Sequence, residues 1–209
     1  MSASLTIAFI GTGVMGRSMA GHLQKAGHVL HVHNRTKAKA AALLEAGAIW
    51  HDSAGSAAAQ ADVVITMLGF PTDVESSYLG AGGIVERAKP GALLIDMTTS
   101  SPVLARKIAA AAAQRGLAAL DAPVSGGDLG AREARLVTMV GGAAAAFARA
   151  KPLLEIMGKN IALLGPAGAG QHCKMANQIA VAVGMVAWCE ALAYAKKADE
   201  EGYTQVASL

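Results

Sequence analysis

Six residues, Gly11-Thr12-Gly13-Val14-Met15-Gly16, constrain this chain more than any others. Just before them runs Leu5-Thr6-Ile7-Ala8-Phe9-Ile10, apolar and rich in β-formers, the pattern of a buried strand. After them Met19, Leu23 and Ala26 recur at the spacing of a helix's inner face. The glycines therefore fall in a strand-to-helix turn. In such a turn Gly11 makes the tight bend, Gly13 lets bare backbone approach a pyrophosphate, and Gly16 lets helix and strand pack closely. The helix N-terminus adds unpaired N–H groups and a partial positive charge. Residues 11–16 thus predict a dinucleotide site, with an ordinary glycine-rich turn as the plain alternative.

Downstream, short apolar runs alternate with helix-like stretches. Strands are expected over 28–33, 48–50, 61–68, 92–95 and 117–120, and helices over 37–46, 71–78 and 102–115. That alternation specifies an α/β fold with a mostly parallel sheet covered on both faces. After Asp121 the rhythm changes: strands at 136–140 and 159–163 flank a helix over 143–157. Pro166-Ala167-Gly168-Ala169-Gly170 then breaks the chain, and one long helix begins near Gln171. The expected division is a Rossmann-like dinucleotide-binding domain over 1–168. A long interdomain helix and the start of an all-helical C-terminal domain follow over 169–209.

With 53% hydrophobic and only 4% aromatic residues, alanine carries much of the apolar content, which favours closely packed helices over an all-β sandwich. The net charge of +3 is spread along the chain with no basic run, so no nucleic-acid arm is expected. Cys173 and Cys189 lie sixteen positions apart in one predicted helix. At about 1.5 Å per residue they are roughly 24 Å apart, too far to pair, which suits a reducing compartment. The N-terminus lacks a signal-peptide pattern, and the apolar run 179–189 is short for a bilayer. A soluble, cytoplasmic protein with no membrane or nucleic-acid partner is expected. Yet Ile179, Val181, Val183, Met185, Val186, Trp188 and Leu192 make the last helix apolar nearly all round, so a larger body must bury it. A homodimer or higher homo-oligomer, and a helical portion beyond Leu209, are both expected to do so.

At the end of the second strand a dinucleotide fold places the residue that discriminates NAD from NADP, about 20 residues past the glycines. Here the sequence is His33-Asn34-Arg35-Thr36, without a carboxylate. Arg35 can pair with a 2′-phosphate, and Asn34 and Thr36 add donors, so NADP(H) is the expected cofactor. Three further stretches follow strand ends. Asp96-Met97-Thr98-Thr99-Ser100 offers hydroxyls to the nicotinamide end and also a helix cap. Asp121-Ala122-Pro123-Val124-Ser125-Gly126-Gly127 makes either an anion cradle, from Ser125 and the Gly126 and Gly127 N–H groups, or a flexible turn. In Gly170-Gln171-His172-Cys173-Lys174-Met175-Ala176-Asn177, Lys174 and Asn177 share a helix face. A lysine on an apolar helix is costly unless paired or functional, and partial burial eases its deprotonation. His31 and His33 share a strand face, but two ligands alone do not make a metal site, and none is expected.

In this order the motifs at 11–16, 121–127 and 170–177 resemble the β-hydroxyacid dehydrogenase family. That family includes 3-hydroxyisobutyrate dehydrogenase, tartronate semialdehyde reductase, and glyoxylate and succinic semialdehyde reductases. The resemblance implies that Lys174 is catalytic, that Ser125, Gly126, Gly127 and Asn177 hold the substrate, and that Met67, Leu68 and Thr99 line the cofactor. It implies a small carboxylated aldehyde or hydroxy acid as substrate, and Asn34-Arg35-Thr36 is most like the NADPH-dependent semialdehyde reductases. Family members continue into a helical domain that closes over the nicotinamide and supplies another basic residue, so a chain ending at Leu209 is expected to bind cofactor yet turn over poorly. The alternatives are an imine reductase or 6-phosphogluconate dehydrogenase relative and, in another class, a nucleotide-binding interaction module without turnover. Lys174 speaks against the imine reductases, which typically lack it, and against the module, whose members would be expected to lose it.

Overall fold

The computed structural model describes residues 4–201. They fall into two compact units that divide between Lys174 and Met175. The first unit is built on the parallel strands β1 (Thr6–Ile10), β2 (Val29–His33), β3 (Ile49–Trp50), β4 (Val63–Thr66), β5 (Leu93–Asp96) and β6 (Ala118–Asp121). Their order in the sheet is β3-β2-β1-β4-β5-β6, the doubly wound arrangement that binds dinucleotides where the strand order reverses, beside β1. The sheet continues through β8 (Leu136–Gly142), which runs antiparallel to both β6 and β7 (Val124–Ser125) and parallel to β9 (Gly158–Gly165).

Alternation along the central strands sorts side chains onto two faces. Ile7, Phe9, Val63, Ile65, Leu93 and Ile95 join Met19 and Leu23 of α1 (Gly16–Lys25) and Leu153 and Leu154 of α8 (Ala144–Met157) in one core. Ala8, Ile10, Val64 and Leu94 face the other way. They pack on α3 (Ala54–Ala58), α4 (Pro71–Leu79), α5 (Ile84–Arg87) and α6 (Pro102–Gln114). Continuous apolar runs in β1 and β4 follow from this two-sided burial.

Several elements depart from the sequence expectation. The helix expected over 37–46 is a 3-10 turn, Lys37–Ala40, followed by the short α2 (Ala41–Glu45). The segments α3, α5, β7 and α7 (Gly127–Arg132) have no counterpart in the expectation; each is too short to show a period. Strands β5 and β6 end one residue later than expected, on Asp96 and Asp121.

The last helix, α9 (Ala169–Glu200), begins before Gln171 and crosses from the first unit into the second. In the second unit its large apolar side chains are exposed, Trp188 at 70% and Ile179 at 69%. Among the described residues α9 is one helix long and apolar enough to cross a membrane by length and composition. The run 179–189 reads as too short for that, but flanking alanines extend the apolar window.

Candidate functional site

A cavity of about 640 Å³ opens at the carboxyl ends of β1, β2 and β4. The glycine loop forms its floor. Gly11 has φ +98°, and a Cβ there would lie 2.2 Å from the Met67 carbonyl oxygen, so only glycine fits between β1 and the end of β4. At Gly16 a Cβ would meet the Gly11 oxygen at 1.9 Å, which is what lets α1 start against the strand. Gly13 is different: a Cβ would meet nothing within 4 Å, so its backbone faces open space.

Gly13, Val14, Met15 and Gly16 line the cavity where α1 begins. No side chain caps that helix at Met15, and its first turn carries no acid. The Arg17 and Ser18 N–H groups donate to the Gly13 and Met15 carbonyls, so the N–H groups of residues 13–16 and the partial positive charge of the helix start are what is left for an anion. Thr12 is buried; its N–H donates to Asn34 Oδ1 at 3.1 Å. Asn34 Nδ2 donates to the Thr36 carbonyl at 2.9 Å. The Asn34 amide, expected as a ligand donor, therefore also braces the glycine loop against the loop after β2.

Arg35 and Lys39 bring two exposed cations to the lining beside Thr36. The carboxylate in the lining, Asp73, belongs to α4 after β4, on the opposite side of β1 in the sheet order. A bare-backbone loop and an uncapped helix start with a cationic flank fit the pyrophosphate of a nicotinamide dinucleotide. Met67 and Leu68 line the same cavity, whereas Thr99 is exposed and not among its lining residues.

Beside the cavity, three strand ends place polar side chains in register: Thr66 of β4 pairs with Asp96 of β5, which pairs with Asp121 of β6. Thr66 Oγ1 donates to Asp96 Oδ1 at 2.7 Å, and the Thr98 N–H donates to the same oxygen at 3.1 Å. With its only proton committed there, the Thr66 hydroxyl accepts from the Tyr78 hydroxyl at 3.0 Å. Burial pushes the Asp96 carboxyl up to about 6 against the pull of these hydrogen bonds, and the nearby Asp121 carboxylate pushes the same way. Asp121 caps the start of α9: Gly168 N–H donates to Oδ1 at 2.7 Å and Gln171 N–H to Oδ2 at 2.9 Å. One turn on, Lys174 is buried, 6% exposed, and burial lowers its pKa from the usual 10.5.

Ser125 ends β7 half-buried, and Gly126 and Gly127 turn the chain into α7 with φ +128° and +61°. The stretch read as a cradle is therefore a strand, a two-glycine turn and a helix start. Asn177 is half-buried on α9 three residues past Lys174. His31 Nδ1 lies 2.7 Å from His51 Nε2, so His31 shares a hydrogen bond with His51 rather than a site with His33. Among the described residues no group of three or more His, Cys, Asp or Glu side chains is placed to hold a metal. Thr66 and Tyr78 escape a reading of the sequence, as do the bracing roles of Thr98 and Gln171 within stretches it does single out, since only long-range contacts reveal them.

Two family models match the chain. The NAD-binding domain of 6-phosphogluconate dehydrogenase covers residues 6–165, and the NAD-binding segment of NADP-dependent 3-hydroxyisobutyrate dehydrogenase covers 168–205. An uncharacterized oxidoreductase of Bacillus subtilis is 56% identical over 94% of this chain and 68% of its own length. The 3-hydroxyisobutyrate dehydrogenase of Pseudomonas aeruginosa is 48% identical over 91% of this chain, which spans 64% of that enzyme. Among solved structures, the Mycobacterium tuberculosis 3-hydroxyisobutyrate dehydrogenase with L-serine superposes with a TM-score of 0.85 at 41% identity. That match covers 93% of this chain and 66% of the other.

Proposed function

The chain belongs to the β-hydroxyacid dehydrogenase family, and on that premise we propose that it is an NADPH-dependent oxidoreductase interconverting a small carboxylated aldehyde and its hydroxy acid. The observation that carries this reading is Lys174, a buried amine with a lowered pKa in the same unit as the dinucleotide cavity. A nicotinamide dinucleotide, when bound, supplies or accepts the hydride. Everything else falls to the protein.

The backbone at 13–16 binds the pyrophosphate, where open space at Gly13 and the uncapped α1 favour an anion. Arg35, with Thr36 and Lys39 in the same lining, pairs with the 2′-phosphate. That is the basis for preferring NADPH, since a carboxylate in this place would repel the phosphate. Met67 and Leu68 form the apolar wall.

Lys174 moves the proton. In reduction its ammonium hydrogen-bonds to the aldehyde oxygen and then protonates it; in oxidation the neutral amine takes the hydroxyl proton. Burial lowers the cost of the neutral form, which brings the amine closer to the working pH of an acid–base group. Ser125 and the Gly126 and Gly127 N–H groups are proposed to hold the substrate carboxylate. The role of Asn177 in orienting substrate rests on the family resemblance alone.

The proposed assembly is a homodimer or larger, since exposed Val186, Trp188 and Leu192 on α9 call for a cover. Cys173 and Cys189 are free thiols, in keeping with the cytoplasm as the proposed setting.

The test is NADPH oxidation with glyoxylate, succinic semialdehyde and uncharged butanal. Turnover with the carboxylated aldehydes and little with butanal is expected. A protein that binds NADPH and turns over none of them is a nucleotide-binding module instead.

A further inference from the structure

Gln171 is 1% exposed and spends its whole amide on the loop after β5. Its Oε1 accepts the Ser100 N–H at 2.8 Å, and its Nε2 donates to the Thr98 carbonyl at 2.7 Å. A neutral side chain with an acceptor and a donor side by side is what an N–H and a C=O two residues apart require. The same residue's backbone N–H donates to Asp121 Oδ2. Gly170, just before it, is pressed so close to β8 that a Cβ would lie 2.3 Å from the Met139 carbonyl oxygen. The first turn of α9 is thus fixed to the ends of both β5 and β6. Thr98 carries the connection further, because its Oγ1 accepts the Leu68 N–H at 2.9 Å, and Leu68 lines the dinucleotide cavity.

We propose that Gln171 is the positioning residue for Lys174. By clamping the first turn of α9 to the main chain of Thr98 and Ser100, it sets the place of the lysine one turn later and ties that place to the Leu68 wall of the cavity. The clamp cannot be duplicated by an ionised carboxylate. In Gln171→Glu the charged side chain would present lone pairs to the Thr98 oxygen and add a charge near Asp96 and Asp121, both buried. Once protonated, the same side chain would restore both hydrogen bonds. The positioning role rests on the proposed chemistry of Lys174, so its test needs a signal that does not depend on turnover.

That signal is the titration of Lys174 itself, followed by NMR in protein labelled with carbon-13 at lysine Cε and assigned by comparison with Lys174→Arg. The full chain is used, with Gln171→Met and the isosteric Gln171→Glu. In Gln171→Met the Lys174 midpoint is expected to rise toward the ordinary lysine value, with kcat down about tenfold or more and NADPH affinity within about twofold of the parent. In Gln171→Glu the lysine signal and kcat, each taken relative to the parent at the same pH, are expected to recover as pH falls from about 8 to about 5.5, the range in which a buried carboxyl regains its proton. An unchanged Lys174 titration in Gln171→Met overturns the inference. So does a Gln171→Glu protein whose deficit is the same at every pH, and this second variant decides the matter if Gln171→Met does not fold. If the parent binds NADPH without turnover while Lys174 still responds to Gln171, the reaction proposed above fails and the positioning stands.

Discussion

Replacing Asp96 by asparagine should stabilise this protein at neutral pH and do little at pH 4. The carboxyl is buried at the end of β5, and its pKa rises from 3.8 to about 6 even though Thr66 and Thr98 both donate to Oδ1. An acid whose folded pKa is raised binds more protons in the native state than in the unfolded one between those two values. Stability from this group therefore falls as pH rises through that window and reaches its full cost above it. The rise from 3.8 to about 6, at about 1.36 kcal/mol per pH unit, amounts to roughly 3 kcal/mol at pH 7. Asparagine keeps the Oδ1 acceptor and removes the charge. It leaves an N–H₂ group in place of Oδ2, which offsets part of the gain, so a net gain of about 1–3 kcal/mol is expected, on the order of 2–12 °C in Tm for a chain of this size. Urea unfolding of parent and variant at pH 4, 5, 6 and 7.5 gives the difference directly. It should be near zero at the lowest pH and grow through pH 5–6. A variant less stable than the parent at pH 7.5, or a difference flat across pH, would mean instead that Asp96 is held as a well-satisfied carboxylate.

Other substitutions test other links of the account. Gly11→Ala forces a side chain into φ +98° and onto the Met67 carbonyl oxygen, and should cost more than about 2 kcal/mol of stability. Gly13→Ala, which meets nothing within 4 Å, should leave the unfolding midpoint nearly unchanged while weakening NADPH binding, as read by calorimetry. Arg35→Asp should lower NADPH affinity at least tenfold and spare NADH. Equal affinities of the two cofactors for the parent would sink the 2′-phosphate assignment. Val186→Glu, at a side chain 63% exposed on α9, should disrupt self-association in sedimentation or light scattering; a parent that is a stable monomer at micromolar concentration contradicts the assembly.

The glycine loop is legible in the sequence because its constraint is local: three glycines, a β-rich run before and a helical period after. The parallel sheet follows from the alternation of elements. Where sequence and structure part, the deciding partner lies far along the chain. Asp96 and Asp121 look like loop residues because they are polar, yet each closes a strand. Thr66 stands ready to satisfy the first, and the backbone at 168 and 171 the second. Thr99 reads as the cofactor-facing hydroxyl, but its neighbour Thr98 turns inward to Leu68. Gln171 looks like an ordinary helix start. Nothing in its local sequence marks an amide bound to a loop more than seventy residues earlier. The short segments α3, α5 and α7 show no helical period; packing holds all three, and α3 also opens on the Ser53–Ser56 capping box.

The proposed chemistry requires one chain to join a nicotinamide dinucleotide cavity to a proton-transferring Lys174. Comparing parent and Lys174→Ala tests it most directly, with kcat for NADPH-dependent reduction of succinic semialdehyde and the NADPH dissociation constant measured on the same preparations. Loss of a proton donor at this position should lower kcat by roughly 10²–10⁴-fold while cofactor affinity stays within about twofold. A variant that retains turnover within about threefold of the parent would mean that Lys174 does not carry the proton.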